Sequence, residues 1–303
     1  MTKTLTIATR ESNLAMWQTN YVAALIEQHT EYSTKLLPMT TEGDQRLEVS
    51  LNKIGGKGLF LKELEQSMQV GESDIAVHSM KDVPAVLPEG FIICTVFPRA
   101  DAADAFVSNN YKQLSDLPQG AVVGTSSLRR QSQLLALRPD LDVQPLRGNV
   151  NSRLAKLDGG QYDAIILAAA GLERLGFDDR IVSRLMAPEW LPAVSQGAIG
   201  IECLSKRQDV IEALADLNDH DTWQAVQAER ALNAGLEGSC SVAIGAYAQC
   251  VDDEVHIQAA VFSPDGEQTL QAQTQNKDPI VAGTAVANTL LAAGAKAILD
   301  LAD

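Results

Sequence analysis

The sequence predicts an α/β protein of two α/β domains flanking a cleft, followed by a small α+β third domain. Two observations predict it. Strand and helix signals alternate through the first half of the chain, as parallel βαβ units do, and the alternation breaks and restarts at "FPRADAADAF". After "LNAGLEG" the pattern changes to two-residue alternation, as in antiparallel strands. With 303 residues, 46% of them hydrophobic, the chain is long enough for two or three cores.

Each element has its own signal. "TLTIAT" is a short apolar strand, and "ESNLAMWQTNYVAALIEQH" follows with helical spacing. "YSTKLLPMTT" predicts a strand, "GLFLKELEQSMQVG" an amphipathic helix and "SDIAVHSM" a strand. Between them "EGDQRLEVSLNKIGGKG" is polar and glycine-rich; a loop that long in a compact domain is usually functional or mobile. The second half-repeat begins with the strand "GAVVGTSS" and the helix "LRRQSQLLALRPD". "DVQPLRG" is a strand, "NVNSRLAKLDGG" a helix and "YDAIILAAAG" a buried strand. "LPAVSQGAIGIEC" reads as extended, with small residues that suit a hinge. "HDTWQAVQAERALNAGLEG" is a helix, and "SVAIGAYAQCV", "EVHIQAAVFS" and "EQTLQAQTQ" are strands. "SPDG" turns the second into the third, and "DPIVAGTAVANTLLAAGAKAILDLA" is a closing helix. The expected domains are 1–97 with 198–217, 98–197, and 218–303, and a cleft between the first two is a common ligand location.

Composition excludes several classes. The N-terminus has no apolar leader core and no segment is long enough to span a membrane, so a cytoplasmic protein is expected. A net charge of −15 argues against a nucleic-acid partner. Four cysteines without CxxC spacing and four scattered histidines predict reduced thiols and no metal site. No heptads or large apolar stripe stand out, so a monomer is expected. Against the acidity, residues 129–153 carry five arginines, two aspartates and no lysine, a local charge of +3. That is either a solvated helix face or an anion site. Arginine without lysine favours bidentate grip on carboxylates or phosphates.

Two helix heads repeat one device. "IATRESNLA" and "VGTSSLRRQSQL" each run strand, threonine, then Ser and Arg where a helix starts, and helix N-termini attract anions. Arg10 and Ser12 are expected to face Thr125, Ser127, Arg129 and Arg130 across the cleft, although plain N-capping accounts for either serine alone. "AVHSMKDVPA" delivers His78, Ser79, Lys81 and Asp82 at a strand C-terminus, where ligands meet α/β sheets. Asp82 is either half of a surface ion pair with Lys81 or a cleft carboxylate that handles a proton or a cation.

Cys94, Cys203 and Cys250 read as small hydrophobes in strands. Cys240, in "LEGSCSVAIG", has little to pack against, and Gly235 and Gly238 loosen its backbone. A turn filler and a functional thiol both fit. Its place after a helix C-terminus, beside Glu237, disfavours a thiolate. This counts against a cysteine-hydrolase pair with His78 and for a permanent thioether, which never ionises.

"GGKGLF", "HSMKDVP", "GTSSLRRQ", "LRGNV" and "LEGSC", in that order, resemble the porphobilinogen deaminase family from "IATR" to the last helix. The resemblance implies a transferase of tetrapyrrole (haem) biosynthesis. Four porphobilinogens are joined head to tail, with loss of ammonia, on a dipyrromethane cofactor bound to Cys240 by a thioether, and hydrolysis releases hydroxymethylbilane. It implies Asp82 as the catalytic carboxylate, stabilising the azafulvene cation. Cofactor contacts are implied for Ser79, Lys81, Asp82, Thr125 and Ser127, with Arg129, Arg130 and Arg147. Substrate contacts are implied for Arg10, Ser12, Lys57, Arg153, Arg174 and Gln196. Ser239, Asn13 and Ser195 stand where the family commonly has glycine, proline and glycine. The cleft architecture is periplasmic-binding-protein-like, so a small-anion-binding protein without chemistry is the alternative.

Overall fold

β1 (Lys3–Arg10) is an inner strand on which the first sheet starts, with Leu5, Ile7, Ala8 and Thr9 fully enclosed. The computed structural model describes residues 3–41, 61–238 and 242–302. The predicted loop 42–58, with Lys57, and Cys240 with Ser239 lie outside the described residues.

α1 (Asn13–His29) packs Val22 and Ile26 against β1, and β2 (Tyr32–Met39) returns parallel to it in full register from Lys3↔Tyr32 to Arg10↔Met39. α2 (Lys62–Gln69) leads to β3 (Ile75–Ser79), parallel to β1 on its other side. β4 (Phe91–Val96) ends the first excursion. The second sheet then builds from β5 (Asp104–Val107), β6 (Val122–Gly124), α3 (Leu128–Leu137), β7 (Asp142–Gln144), α4 (Val150–Asp158), β8 (Ala164–Ala168), α5 (Ala169–Arg174) and β9 (Ser183–Leu185). β10 (Ile199–Leu204) carries the chain back into the first sheet.

The two sheets have matching orders, β2-β1-β3-β10-β4 and β7-β6-β8-β5-β9. In each, three neighbouring strands are parallel, and the antiparallel member beside them is the strand that has just arrived from the other unit: β5 after the outward crossover, β10 after the return. The expectation of parallel units therefore holds for β1–β3 and β6–β8 and fails at β5 and β10. β8 sends Ile165 and Leu167 to one core and Ala164 and Ile166 to the other. A strand buried on both faces needs a continuous apolar run.

β11 (Ile244–Val251), β12 (Glu254–Phe262) and β13 (Thr269–Asn276) form an antiparallel meander with helices on one face. Those helices are α7 (His220–Gly235), α8 (Pro279–Ala292) and α9 (Ala295–Leu299), while α6 (Gln208–Leu214) stays with the first unit. The helices sit close because α7 and α8 meet through glycines. A Cβ on Gly235 would lie 2.7 Å from Ala287 Cβ, and one on Gly283 would collide with Ala228 O. Gly235 thus serves helix packing and not loop freedom. The predicted single closing helix is two, broken at Gly294, whose φ of +101° no helix accommodates. Four short elements lacked a signal: β5, β9, α6 and α5, the last hidden in the end of the apolar run through β8.

Candidate active site

β3 ends at Ser79 and tightens into a single 3-10 turn, Met80–Asp82. The buried Met80 anchors that turn, so Lys81 and Asp82 are left facing the cleft. Gln18 of α1 donates its amide to Ser79 Oγ at 2.8 Å. Ser12 caps α1, accepting Ala15 N–H at 3.3 Å, so the capping reading holds for it. Arg10, Ser12, Gln18, Ser79 and Asp82 line one small recess. His78 is buried and bonds Glu202 at 2.8 Å, which commits the imidazole that a cysteine-hydrolase reading requires.

β6 ends at Gly124, and α3 starts after Ser127. The Ser127 side chain makes no cap bond, and the residue lines the cleft, so here the ligand reading survives. Thr125 accepts the Ser127 N–H at 3.2 Å, is itself buried, and shapes the turn from beneath. The next two residues, Arg129 and Arg130, are nearly fully buried. Arg129 Nη1 donates to Asp104 Oδ2 at 2.9 Å and Leu191 O at 2.6 Å. Arg130 Nη2 donates to Asp104 Oδ1 at 2.7 Å, and its Nη1 to Ile166 O at 3.0 Å. Burial alone would raise the Asp104 carboxyl; the two guanidiniums and their hydrogen bonds outweigh it and hold it below the ordinary range. Sequence reasoning missed Asp104. The signal available was an acid at the head of a wholly apolar strand, "DAFV".

A cavity of about 470 Å³ joins these parts: Lys81, Asp82, Ser127, Arg129, Arg130, Arg147, Arg153 and Gln196 all line it. Asp82 borders both this cavity and the recess with Arg10 and Ser12. Arg147 and Arg153 flank the start of α4, where Asn149 is the cap and Arg153 Nε donates to Gly148 O at 2.7 Å. Burial brings Arg153 down to about 10, helped by its neighbours Arg130 and Arg147. Burial likewise pushes Lys81 down to about 8, with Asp82 pulling the other way. Of the five arginines in 129–153, Arg138 is the exception: it braces a turn through Asp140 at 2.7 Å and the carbonyls of Leu114 and Leu117. Arg174 borders neither cavity; it donates to Gly197 O at 2.7 Å and lies over the Trp17 ring.

Gln196 sits on the return crossover, which is bent and not extended as expected. Ser195 has φ 61° and a buried hydroxyl without a partner, a conformation that favours the glycine it replaces in the family pattern. Gly197, at φ 91°, leaves no room for a Cβ beside Ala100 O. The two crossovers bond each other, Ala100 N to Gly197 O and Phe97 N to Ile199 O. Arg99 and Glu229 pair at 2.7 Å behind them.

The third unit reaches the cleft through the end of α7. Gly238 N bonds Asn233 O and Glu237 N bonds Ala234 O, a Schellman ending in which Glu237 takes φ 53°. Asn233, Glu237, Gly238, Val242 and Ile244 border the cavity, so the segment containing Cys240 starts and ends at its rim. Of the other thiols, Cys203 is buried as expected; Cys94 is partly enclosed, and Cys250 lies half-buried at the sheet margin.

The cleft asks for a ligand of several carboxylates. The Nε groups of Arg129 and Arg130 are buried and unpartnered, and four arginines and a lysine line the cavity against two carboxylates, Asp82 and Glu237. Fold and site together define an α/β cleft protein whose cavity gathers cationic side chains beside an acid. A family profile described as "Porphobilinogen deaminase, dipyromethane cofactor binding domain" matches residues 5–212, and one described as "Porphobilinogen deaminase, C-terminal domain" matches 223–292. The porphobilinogen deaminase of Thiobacillus denitrificans is 54% identical over 98% of this chain and 98% of its own. That of Albidiferax ferrireducens is 57% identical over 88% of this chain and 84% of its own. The chain belongs to the porphobilinogen deaminase family, a family of transferases. Among solved structures, lipoprotein Tp32 from Treponema pallidum superposes with a TM-score of 0.46 at 11% identity, covering 72% of this chain and 90% of that one.

Proposed function

We propose that this protein joins porphobilinogen units into a linear tetrapyrrole on a dipyrromethane primer attached to Cys240, with Asp82 as the catalytic carboxylate. Family membership supports the reaction, and one observation carries the assignment of roles: Asp82 borders both the arginine-lined cavity and the recess of Arg10 and Ser12. A carboxylate there touches a primer end on one side and an incoming substrate on the other.

The described residues fit a dipyrromethane. Its acetate and propionate groups match unpartnered guanidinium nitrogens, and charge-assisted bonds of this kind are the strong ones. When bound, the group supplies a free pyrrole carbon to which the next unit is joined. Lys81, Arg129, Arg130 and Arg147, with Ser79, Thr125 and Ser127 about them, hold carboxylates at the primer end. Arg10, Ser12, Arg153 and Gln196 hold those of the substrate side. Arg174 acts from the end of α5, and Lys57 completes the set from its own segment. Asp82 holds negative charge where ammonia leaves porphobilinogen, which favours the cationic pyrrole, and accepts its proton.

The domain spans 1–97 with 198–217, 98–197 and 218–303 go with this reading, since each contains one sheet. No helix among the described residues is long and apolar enough to cross a membrane. Reduced thiols at Cys94, Cys203 and Cys250 suit a cytoplasmic protein.

Intact mass tests the reading. Protein purified from cells should be heavier than its sequence by two linked pyrrole units, react with an aldehyde reagent for pyrroles, and carry the addition on the peptide of Cys240. Fully active protein of unmodified mass, with Cys240 freely alkylated, overturns it.

A further inference from the structure

Asp104 touches neither cavity, yet it holds three residues that do. Its carboxylate is completely buried and takes four side-chain donors. Arg129 Nη1 and Trp190 Nε1 reach Oδ2 at 2.9 and 2.7 Å; Arg130 Nη2 and Gln196 Nε2 reach Oδ1 at 2.7 and 2.9 Å. Consecutive residues on a helix point about 100° apart, and two adjacent guanidiniums repel. A single carboxylate drawing one nitrogen from each overcomes both effects. It also fixes which atoms remain. Arg129 and Arg130 keep buried, unpartnered Nε groups. Gln196, whose amide nitrogen donates to Ala102 O and Ala103 O as well, is left with a buried, unpartnered Oε1. Two donors and one acceptor thus stay uncommitted, matching a ligand with carboxylates and pyrrole N–H groups.

We propose that Asp104 is a positioning residue for the cleft, setting the direction in which Arg129, Arg130 and Gln196 present those atoms to pyrrole carboxylates and N–H groups. This rests on the reading of the arginines as carboxylate partners. It separates two carboxylates that the chemistry keeps apart: Asp82 acts on the reacting pyrrole, and Asp104 acts through the guanidiniums.

The test compares full-length Asp104→Asn, Asp104→Glu and Arg129→Leu by intact mass, thermal melting, and KM and kcat for porphobilinogen. Asparagine keeps the shape but turns an N–H toward donors. Adduct occupancy should fall and KM rise roughly tenfold or more, while kcat of the adduct-bearing fraction stays within about twofold. Glutamate keeps charge and acceptors but displaces them. It should restore melting and occupancy yet leave KM raised several-fold. A normal KM with full occupancy in Asp104→Asn overturns the proposal; if that variant does not fold, the same result in Asp104→Glu overturns it. Unchanged mass and KM in Arg129→Leu would instead sink the arginine reading, and the Asp104 proposal with it.

Discussion

Lys81 carries the cleft charge most sensitive to pH. Burial lowers it to about 8, and Asp82 only partly offsets that. It is a cation below that pH and neutral above it, so its hold on carboxylates weakens as pH rises. Measured from pH 7 to 9.5, KM should begin to climb at or above about 8, because bound carboxylates favour the charged form further. Lys81→Arg should flatten the profile, since guanidinium stays charged throughout; equal profiles in both proteins would exclude Lys81 from binding. Asp82 is the complementary case. Asp82→Asn keeps shape and hydrogen bonding but loses the charge facing a developing cation. Folding and adduct mass should persist while turnover falls ~10²–10³-fold, and near-normal turnover would make Asp82 a bystander. Both residues were legible in "HSMKDVP" because a strand end followed by charge is a local pattern. Asp104 and Gln18 were not, because their meaning lies in partners 25 and 61 residues away.

At the scale of elements, helices and strands followed their periodicities wherever an element had one environment. α1, α7 and the β11–β13 meander lie where the sequence puts them. The misses share a cause: β5 and β9 are strands of four and three residues placed by their neighbours, and tertiary pairing overrides so short a signal. α2 shows a cost that periodicity does not reveal. Its Glu65 is half-buried and raised to about 7, mainly by desolvation and then by Glu202, with His78 opposing. The folded protein therefore holds a proton on Glu65 that the unfolded chain has lost by about pH 5. This contribution to stability is full below the unfolded value of 4.5 and disappears as pH rises through 7. Glu65→Gln should raise stability at pH 8 by on the order of 1 kcal/mol after solvent screening and leave it unchanged at pH 4.5. A gain equal at both pH values in thermal melts would show that charge is not the cause.

For the whole molecule, the chain crosses between the first two units twice, and a buried ion pair is among the contacts that tie the crossovers to the third unit. Glu229 of α7 is wholly buried. Its Oε1 accepts Arg99 Nη1 and Ala248 N–H, each at 2.7 Å, and its Oε2 accepts Arg99 Nη2 and the N–H of Ser195. Arg99 lies on the outward crossover and also donates Nε to Gln196 O at 2.8 Å. One ion pair thus joins both crossovers, α7 and β11. A buried pair adds little net stability over apolar packing, but removing one partner strands the other charge, at a cost of about 3–5 kcal/mol. Glu229→Gln leaves Arg99 in that state and turns an amide N–H toward a ring of donors. The midpoint should drop by on the order of 10 °C, and calorimetry should show the third unit separating from the other two as a distinct transition. Because the Ser195–Gln196 segment loses its anchor, KM should rise in whatever protein remains folded at 25 °C. A midpoint within about 2 °C of the parent, in a single transition with unchanged KM, would mean that the three units are held by their apolar contacts and that this junction is not what couples them.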